Sequence, residues 1–419
     1  MTGNRHLSRF ASQRPLEIAI GALSAAYILY VLVLTKMLSP SVSLPWYRDL
    51  GILWDNADYV VSHRSYAAGY FFPPSCYILA HLFGLLDHRI AFRIYLVVQI
   101  IAIGAVIWAW ARLIGVARSP SRSLIILTAA LACSFYIHVQ LGMHNPNAET
   151  FALVSLALAW SRSTALSTGC YALSLAIKPY SSVFVLPWMA WNGNRGWALG
   201  ALLWLMVFFV ALPALWFGLS DAIDLHRQWL ASLLSASENG DPNQLSVRGG
   251  LAALAGGAES DLWIRVTAIL LELGWLGALA VFFVPALWRR GPPAAMAGAC
   301  EAAAILLIGL PLGSHQQPAR MVVLLAAALV IAAAIFEGRL PTRTRALLVG
   351  ILAVIGVAAW VVPIGPIYFL ATLPICVLAL LGLALVRDAG VRRQAGEAGA
   401  DPNPEPETVR PSLAQDAAR

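Results

Sequence analysis

Apolar runs separated by short polar turns occupy this chain from residue 16 to residue 387. Most runs approach the roughly 20 residues that a bilayer crossing needs, and hydrogen bonding of the backbone in lipid requires them to be helices. The pattern predicts spans at 16–38, 90–111, 123–139, 149–161, 164–178, 180–193, 197–217, 262–287, 294–311, 319–336, 346–363 and 367–386. That is about twelve crossings, an all-α polytopic membrane domain over residues 1–387. The pieces between 149 and 193 are short, which leaves full crossings, tilted half-spans or a re-entrant pair around Lys178-Pro179 open there.

Three polar segments stand out between the runs: residues 39–89, residues 218–261, and the turn Gly313-Ser314-His315-Gln316-Gln317-Pro318. In the first, Leu50, Leu53, Trp54, Ala57, Val60 and Val61 fall at helical spacing. They predict a short amphipathic helix whose apolar face rests in the headgroup region, with Asp49 in its first turn. Pro73-Pro74 cannot lie deep inside a helix, so the pair is expected to start a helix over Ser75–Leu86. That piece is too brief to cross and would lie along the surface or dip into it. Residues 388–419, rich in Pro, Ala, Glu and Asp, carry no apolar period and read as a disordered cytoplasmic tail.

Composition agrees with a lipid solvent: 59% of residues are hydrophobic, 12% are charged, and the mean hydropathy is +0.73. The formal charge of +7 would suggest an anionic partner in a soluble protein. Here the arginines cluster in short loops on one side, so orientation explains most of the excess and no nucleic-acid partner is implied. Arg112, Arg118, Arg122, Arg162, Arg195, Arg289, Arg290, Arg339, Arg343, Arg345, Arg387, Arg392 and Arg393 all fall inside if the N-terminus is cytoplasmic. Both termini are then cytoplasmic in an inner or plasma membrane, and the three polar segments share the outer face. The five cysteines are scattered singly, which indicates neither a disulfide frame nor a metal site. The run after Arg5, Arg9 and Arg14 is long for a signal-peptide core and reads as a retained anchor.

No Gly-rich phosphate loop, zinc-protease motif or nucleophile elbow is present. An outward-facing group-transfer enzyme would draw on an activated donor already anchored in the membrane, and a polyprenyl-phosphate sugar meets that need. Attack on its anomeric carbon calls for a base and for groups that hold the departing phosphate. Asp49 is the candidate base, flanked by Tyr47 and Arg48; its other reading is a carboxylate that complements the helix dipole, worth under about 1 kcal/mol. Arg320, Arg248 and Lys178 are candidate phosphate partners, since a charge near lipid needs a counter-charge. Lys178 also reads as a snorkelling side chain at a helix end, and Arg320 as an interface anchor. His315, Gln316 and Gln317 form a dense polar turn suited to sugar hydroxyls, or an ordinary solvated loop. His144, Asn145, Asn243 and Gln244 are further amide-rich candidates whose other reading is turns that satisfy their own backbone. Asp49, Asp55 and Asp58 are spread around the predicted helix, so no metal is called for.

Taken in order, these residues resemble glycosyltransferase family 87, a GT-C-type group of membrane hexosyltransferases that use polyprenyl-phosphate sugars. The resemblance rests on Asp49-Leu50, Phe72-Pro73-Pro74, Gly142-Met143-His144-Asn145, Lys178-Pro179, Trp229 with Asn243-Gln244-Leu245-Ser246, and the turn from Pro311 to Gln317. It covers roughly residues 16–340 by order and spacing. It implies that Asp49 is the catalytic base and that the fold is GT-C-like. Met143 replaces a glutamine, Leu245 is an extra residue before the serine, and a tryptophan is missing near His315. These departures bear on the sugar and the acceptor more than on the reaction class. The expected activity is transfer of a hexose, mannose foremost, from the lipid-linked donor to an envelope glycolipid or glycan, with inversion. A lipid or polyisoprenoid flippase, or a non-catalytic scaffold in an envelope-assembly complex, would share the same composition. Ionisable groups in the predicted spans are sparse, which counts against coupled transport.

Overall fold

The apolar runs fold as helices, and in the computed structural model every regular element among the described residues is helical. The described residues are 48–66, 72–86, 88–143, 145–179, 181–192, 194–236, 247, 251, 261–288, 295–312, 318–338, 340–361 and 368–399. In chain order the helices are α1 (Arg48–His63), α2 (Pro74–Gly84), α3 (His88–Ile114), α4 (Arg122–Ala132), α5 (Ser134–Met143), α6 (Asn147–Ala159) and α7 (Thr164–Ile177). They continue with α8 (Val185–Trp191), α9 (Arg195–Phe217), α10 (Leu219–Ala236), α11 (Leu262–Trp288), α12 (Ala295–Leu312), α13 (Leu324–Glu337), α14 (Thr342–Val361) and α15 (Tyr368–Gly399).

Of the twelve expected spans, three are clear among the described residues: Ile90–Ile114, Arg195–Phe217 and Leu373–Gly390. The run 16–38 lies outside the described residues. The run 123–139 is broken at Cys133, where α4 and α5 meet at 67°. No Pro or Gly marks that break; the two halves have different packing partners, α4 lying on α13 and α5 on the turn Pro318–Val323. Within α9, a π-helical turn over Val207–Ala211 precedes Pro213, and the Leu212 N–H reaches back to the Val207 carbonyl. Proline offers no N–H to continue the ladder, and the wider turn accommodates it.

Helices α6 and α7 have 13 and 14 residues. At about 1.5 Å per residue each is near 20 Å, short of the ~30 Å hydrocarbon layer. They form an antiparallel hairpin. Its closed end is held by Ser167 Oγ on the Ala157 carbonyl, and its open end by Lys178 Nζ on Asn145 Oδ1 at 2.7 Å. Alongside, α3 runs in the same direction as α6: Gln99 meets Asn145 at one end, while Trp110 Nε1 donates to Ser155 Oγ at 3.0 Å further along.

Helix α13 is apolar on every side and is buried from Leu324 to Ile335, which is where such a helix must sit. Helices α3, α4, α12, α14 and α15 surround it. Gly382 of α15 allows a close approach: a Cβ there would stand 2.6 Å from Ile331 Cδ1 and 3.2 Å from its Cγ1. Gly382→Val is therefore expected to overpack this contact and to cost about 1–3 kcal/mol, with Gly382→Ala milder. The melting midpoint in detergent checks it, and equal midpoints for the two variants and the unaltered protein would count against this packing.

The two ends of the helical body differ. Exposed Arg112, Arg118, Arg122, Arg162 and Arg195 gather at one, where Trp160 meets Trp108 and Trp197 Nε1 donates to Ser167 Oγ at 2.6 Å. At the other end lie α1, α2, α10 and the mouth of the α6–α7 hairpin. There the apolar face of α1 (Leu50, Leu53, Trp54, Ala57 and Val60) is covered by α2 with Phe217 and Leu225. The expected headgroup contact is thus replaced by protein, because α2 offers an apolar partner surface of its own. Helix α2 begins at Pro74 as expected but ends at Gly84. Its first half is enclosed rather than laid on a surface, with Ser75 Oγ donating to the Ala176 carbonyl at 3.1 Å. Helix α15 continues to Gly399, so the start of the segment expected to be disordered is helical. Extending an existing helix costs far less than nucleating one, and the Arg, Gln, Ala and Glu residues there are good helix formers. Residues 400–419 lie outside the described residues.

Candidate functional site

Of the residues singled out in the sequence, Tyr47, His144, Asn243, Gln244, Arg248, His315, Gln316 and Gln317 lie outside the described residues. Arg48 and Asp49 are described as backbone, in the first turn of α1, and Arg320 as backbone in the turn Pro318–Val323. Asn145 and Lys178 are described in full, and they are in contact. The Phe72-Pro73-Pro74 element joins them, so three separate sequence motifs meet at the hairpin mouth.

The chain chemistry at that mouth is set by two prolines. Pro179 biases the residue before it away from helical backbone, and α7 ends with Lys178 extended at φ −157° and ψ 96°. Its N–H still bonds the Ser174 carbonyl at 2.9 Å. On the other arm Pro146 caps α6, and Thr150 Oγ1 donates to its carbonyl at 2.7 Å. Asn145 is thereby held just before α6, with its backbone carbonyl accepting from both Gln99 Nε2, at 3.1 Å, and Gln140 Nε2. A carbonyl oxygen has two lone pairs, and both are used.

Lys178 is only 3% exposed. This corrects the snorkelling reading: the ammonium does not reach water along the protein surface but donates inward to Asn145 and sits 5.3 Å from the centroid of Phe72. Burying an ammonium is tolerated only with such partners. Phe72 in turn packs edge-on against Tyr77 at 6.1 Å, and Tyr77 against Tyr66 at 5.5 Å. The same ammonium acts on Cys76, where burial pushes the thiol up to about 12 and Lys178 pulls the other way. A thiol so buried is no nucleophile at neutral pH.

Glu149, two residues into α6, was not among the sequence candidates. Both of its carboxylate oxygens are buried, although the residue as a whole is partly exposed. The available signal was a lone acid in an apolar run, four residues after an amide-rich turn.

A second set of polar contacts docks α10 and ties α1 to α2. Arg64 Nη1 donates to Asp221 Oδ2 at 2.5 Å, the Tyr66 N–H donates to Gln228 Oε1 at 2.7 Å, and the Tyr66 hydroxyl donates to the Phe72 carbonyl at 2.9 Å. His81 Nδ1 lies 2.7 Å from Asp58 Oδ1. The Arg64–Asp221 and His81–Asp58 pairs are largely solvated and each stabilises by no more than about 1 kcal/mol. Their consequence is geometric: residues of the first and second polar segments share one end of the molecule. The sequence offered no sign of which Asp would meet which partner.

Comparison with known proteins adds a family to this geometry. The model of glycosyltransferase family 87 matches residues 70–311, more than half of the chain. The stretch contains Phe72, Asn145, Glu149 and Lys178; Asp49 precedes it and His315 follows it. No curated protein and no solved structure matches.

Proposed function

From the premise that this chain belongs to glycosyltransferase family 87, and is a membrane glycosyltransferase, we propose that it transfers a hexose, mannose foremost, from a polyprenyl-phosphate donor. The acceptor is an envelope glycolipid or glycan on the extracytoplasmic side. The observation that carries this reading is the meeting of Phe72, Asn145 and Lys178 at the end of the helical body opposite the exposed arginines. Arginine-rich loops favour the cytoplasm, which supports an outward-facing hairpin mouth in an inner or plasma membrane with cytoplasmic termini. Helix α1, which bears Asp49 in its first turn, packs at that same end.

In this reading Asp49 accepts the proton of the acceptor hydroxyl as its oxygen attacks the anomeric carbon, and the polyprenyl phosphate leaves from the opposite face. The anomeric centre inverts. Arg320 and Arg248 neutralise the departing phosphate, with His315, Gln316 and Gln317 toward the sugar hydroxyls; Tyr47 and Arg48 flank the base. His144, Asn243 and Gln244 extend the sugar-binding surface. Lys178 is too deeply engaged with Asn145 to be a free phosphate ligand, and it supports the site from behind.

Membranes containing the protein are expected to incorporate label from radiolabelled polyprenyl-phosphate mannose into lipid-extractable or polymeric product, and membranes lacking it are not. Incorporation from a nucleotide sugar in the absence of any lipid-linked intermediate would overturn the donor assignment.

A further inference from the structure

We propose that the cleft between α4 and α14 binds an anionic phospholipid, with an acyl chain in its apolar trough and the phosphate at the arginines on its rim. The cleft has a volume of about 630 Å³, and its walls include Leu131 and Ala132 of α4, Phe336 of α13, and Val349, Leu352 and Val357 of α14. Thr128 is the only polar side chain that lines it. Leu131, Phe336, Val349 and Val357 are all exposed, so the cleft opens sideways, toward lipid in a membrane protein. Ala132 stands just before the break at Cys133, and there α14 comes close: a Cβ on Gly356 would lie 3.4 Å from the Ala132 Cα. From Val349 to Val357 the wall of α14 is about 12 Å long at ~1.5 Å per residue, near the ~15 Å of hydrocarbon in one leaflet.

Exposed apolar walls admit any acyl chain; the rim selects the headgroup. Helix α4 begins at Arg122, and Arg343 and Arg345 lie in the first turn of α14, all three exposed. Three hydrogen bonds draw these segments together. Ser119 Oγ donates to the Glu337 carboxylate at the end of α13, Arg122 Nη1 to the Ala117 carbonyl at 3.0 Å, and Arg345 Nη2 to the Gly338 carbonyl at 3.3 Å. A guanidinium carries five N–H donors, so Arg122 and Arg345 keep donors for phosphate oxygens. Glu337 is engaged by Ser119, and Arg118, Arg122, Arg343 and Arg345 outnumber it. Arginine in the first turn of a helix opposes the dipole, and an anion seated between the two helix starts relieves both at once. Basic pockets between membrane helices take anionic headgroups for this reason. In the reading above, the donor's phosphate belongs at the hairpin mouth, at the other end of the helical body, which leaves this rim to a membrane phospholipid.

The test uses the full chain, stripped of lipid in detergent, with dioleoyl phosphatidylglycerol, dioleoyl phosphatidylcholine or undecaprenyl phosphate added back. Native mass spectrometry reads retained lipid, and the melting midpoint reads its effect on the fold. Phosphatidylglycerol is expected to be retained and to raise the midpoint, with phosphatidylcholine of the same chains held about tenfold more weakly. The double variant Arg122→Gln/Arg345→Gln should erase that preference. Ala353→Trp, which fills the cleft from an exposed position on α14, should weaken both phospholipids alike. If the tryptophan variant does not fold, Ala353→Leu carries the same expectation to a smaller degree. Equal retention of the two phospholipids, a headgroup preference that survives loss of both arginines, or unchanged retention in the folded Ala353 variant would overturn the proposal. Tighter retention of undecaprenyl phosphate than of phosphatidylglycerol would give the cleft to the donor lipid and overturn it too. None of these readouts needs turnover, so failure of the donor assignment and failure of the lipid site are told apart.

Discussion

Asp49→Asn is expected to abolish sugar transfer while leaving the amount of folded protein in the membrane unchanged. The amide keeps the shape of the carboxylate but cannot take a proton from an acceptor hydroxyl. General-base assistance is worth about 10²–10⁴ in rate, so a fall of roughly 10³ is anticipated. The fold should tolerate the change because α1 is held by Leu50, Leu53, Trp54, Ala57 and Val60 against α2, none of which is altered. Initial rates with the labelled lipid donor, normalised to folded protein by size-exclusion chromatography, supply the comparison. Turnover above about a tenth of the unaltered rate would remove Asp49 from the role of base.

Lys178→Met is the second large effect, and it acts on stability before chemistry. Methionine preserves much of the unbranched stem, so little packing is lost. What is lost is the buried charged donor to Asn145 Oδ1 and the cation over the Phe72 ring. Removing a buried hydrogen bond made by a charged group costs about 1.5–3 kcal/mol, above the roughly 1 kcal/mol of an exposed pair such as Arg64–Asp221. A clear fall in melting midpoint is expected, with transfer reduced in what remains folded. A midpoint equal to that of the unaltered protein would show that the ammonium is not structurally required and would reopen a direct phosphate role for it.

Several elements were legible in the sequence because they depend on neighbours in the chain. The amphipathic spacing of α1, the start of α2 at Pro74, and the end of α7 before Pro179 follow from local geometry alone. The grouping of the first two polar segments at one end also followed, because alternation of apolar runs and arginine-bearing loops constrains which turns share a side. The break at Cys133 was not legible, since residues 122–141 carry no Pro or Gly and an unbroken apolar run gives no hint of two packing partners. The shortness of α6 and α7 was visible, but their closure into a hairpin by Lys178 and Asn145 was not.

By itself the sequence determined a helical membrane protein, its polar segments and the family motifs, because hydropathy and periodicity are properties of a chain read in order. Only the tertiary structure decided that the face of α1 is covered by protein and that Lys178 points inward to Asn145. The physical reason is that a charge enclosed in a packed interior is stabilised by whichever groups the fold brings within a few ångströms, and residues 145 and 178 become neighbours only when two helices close on each other.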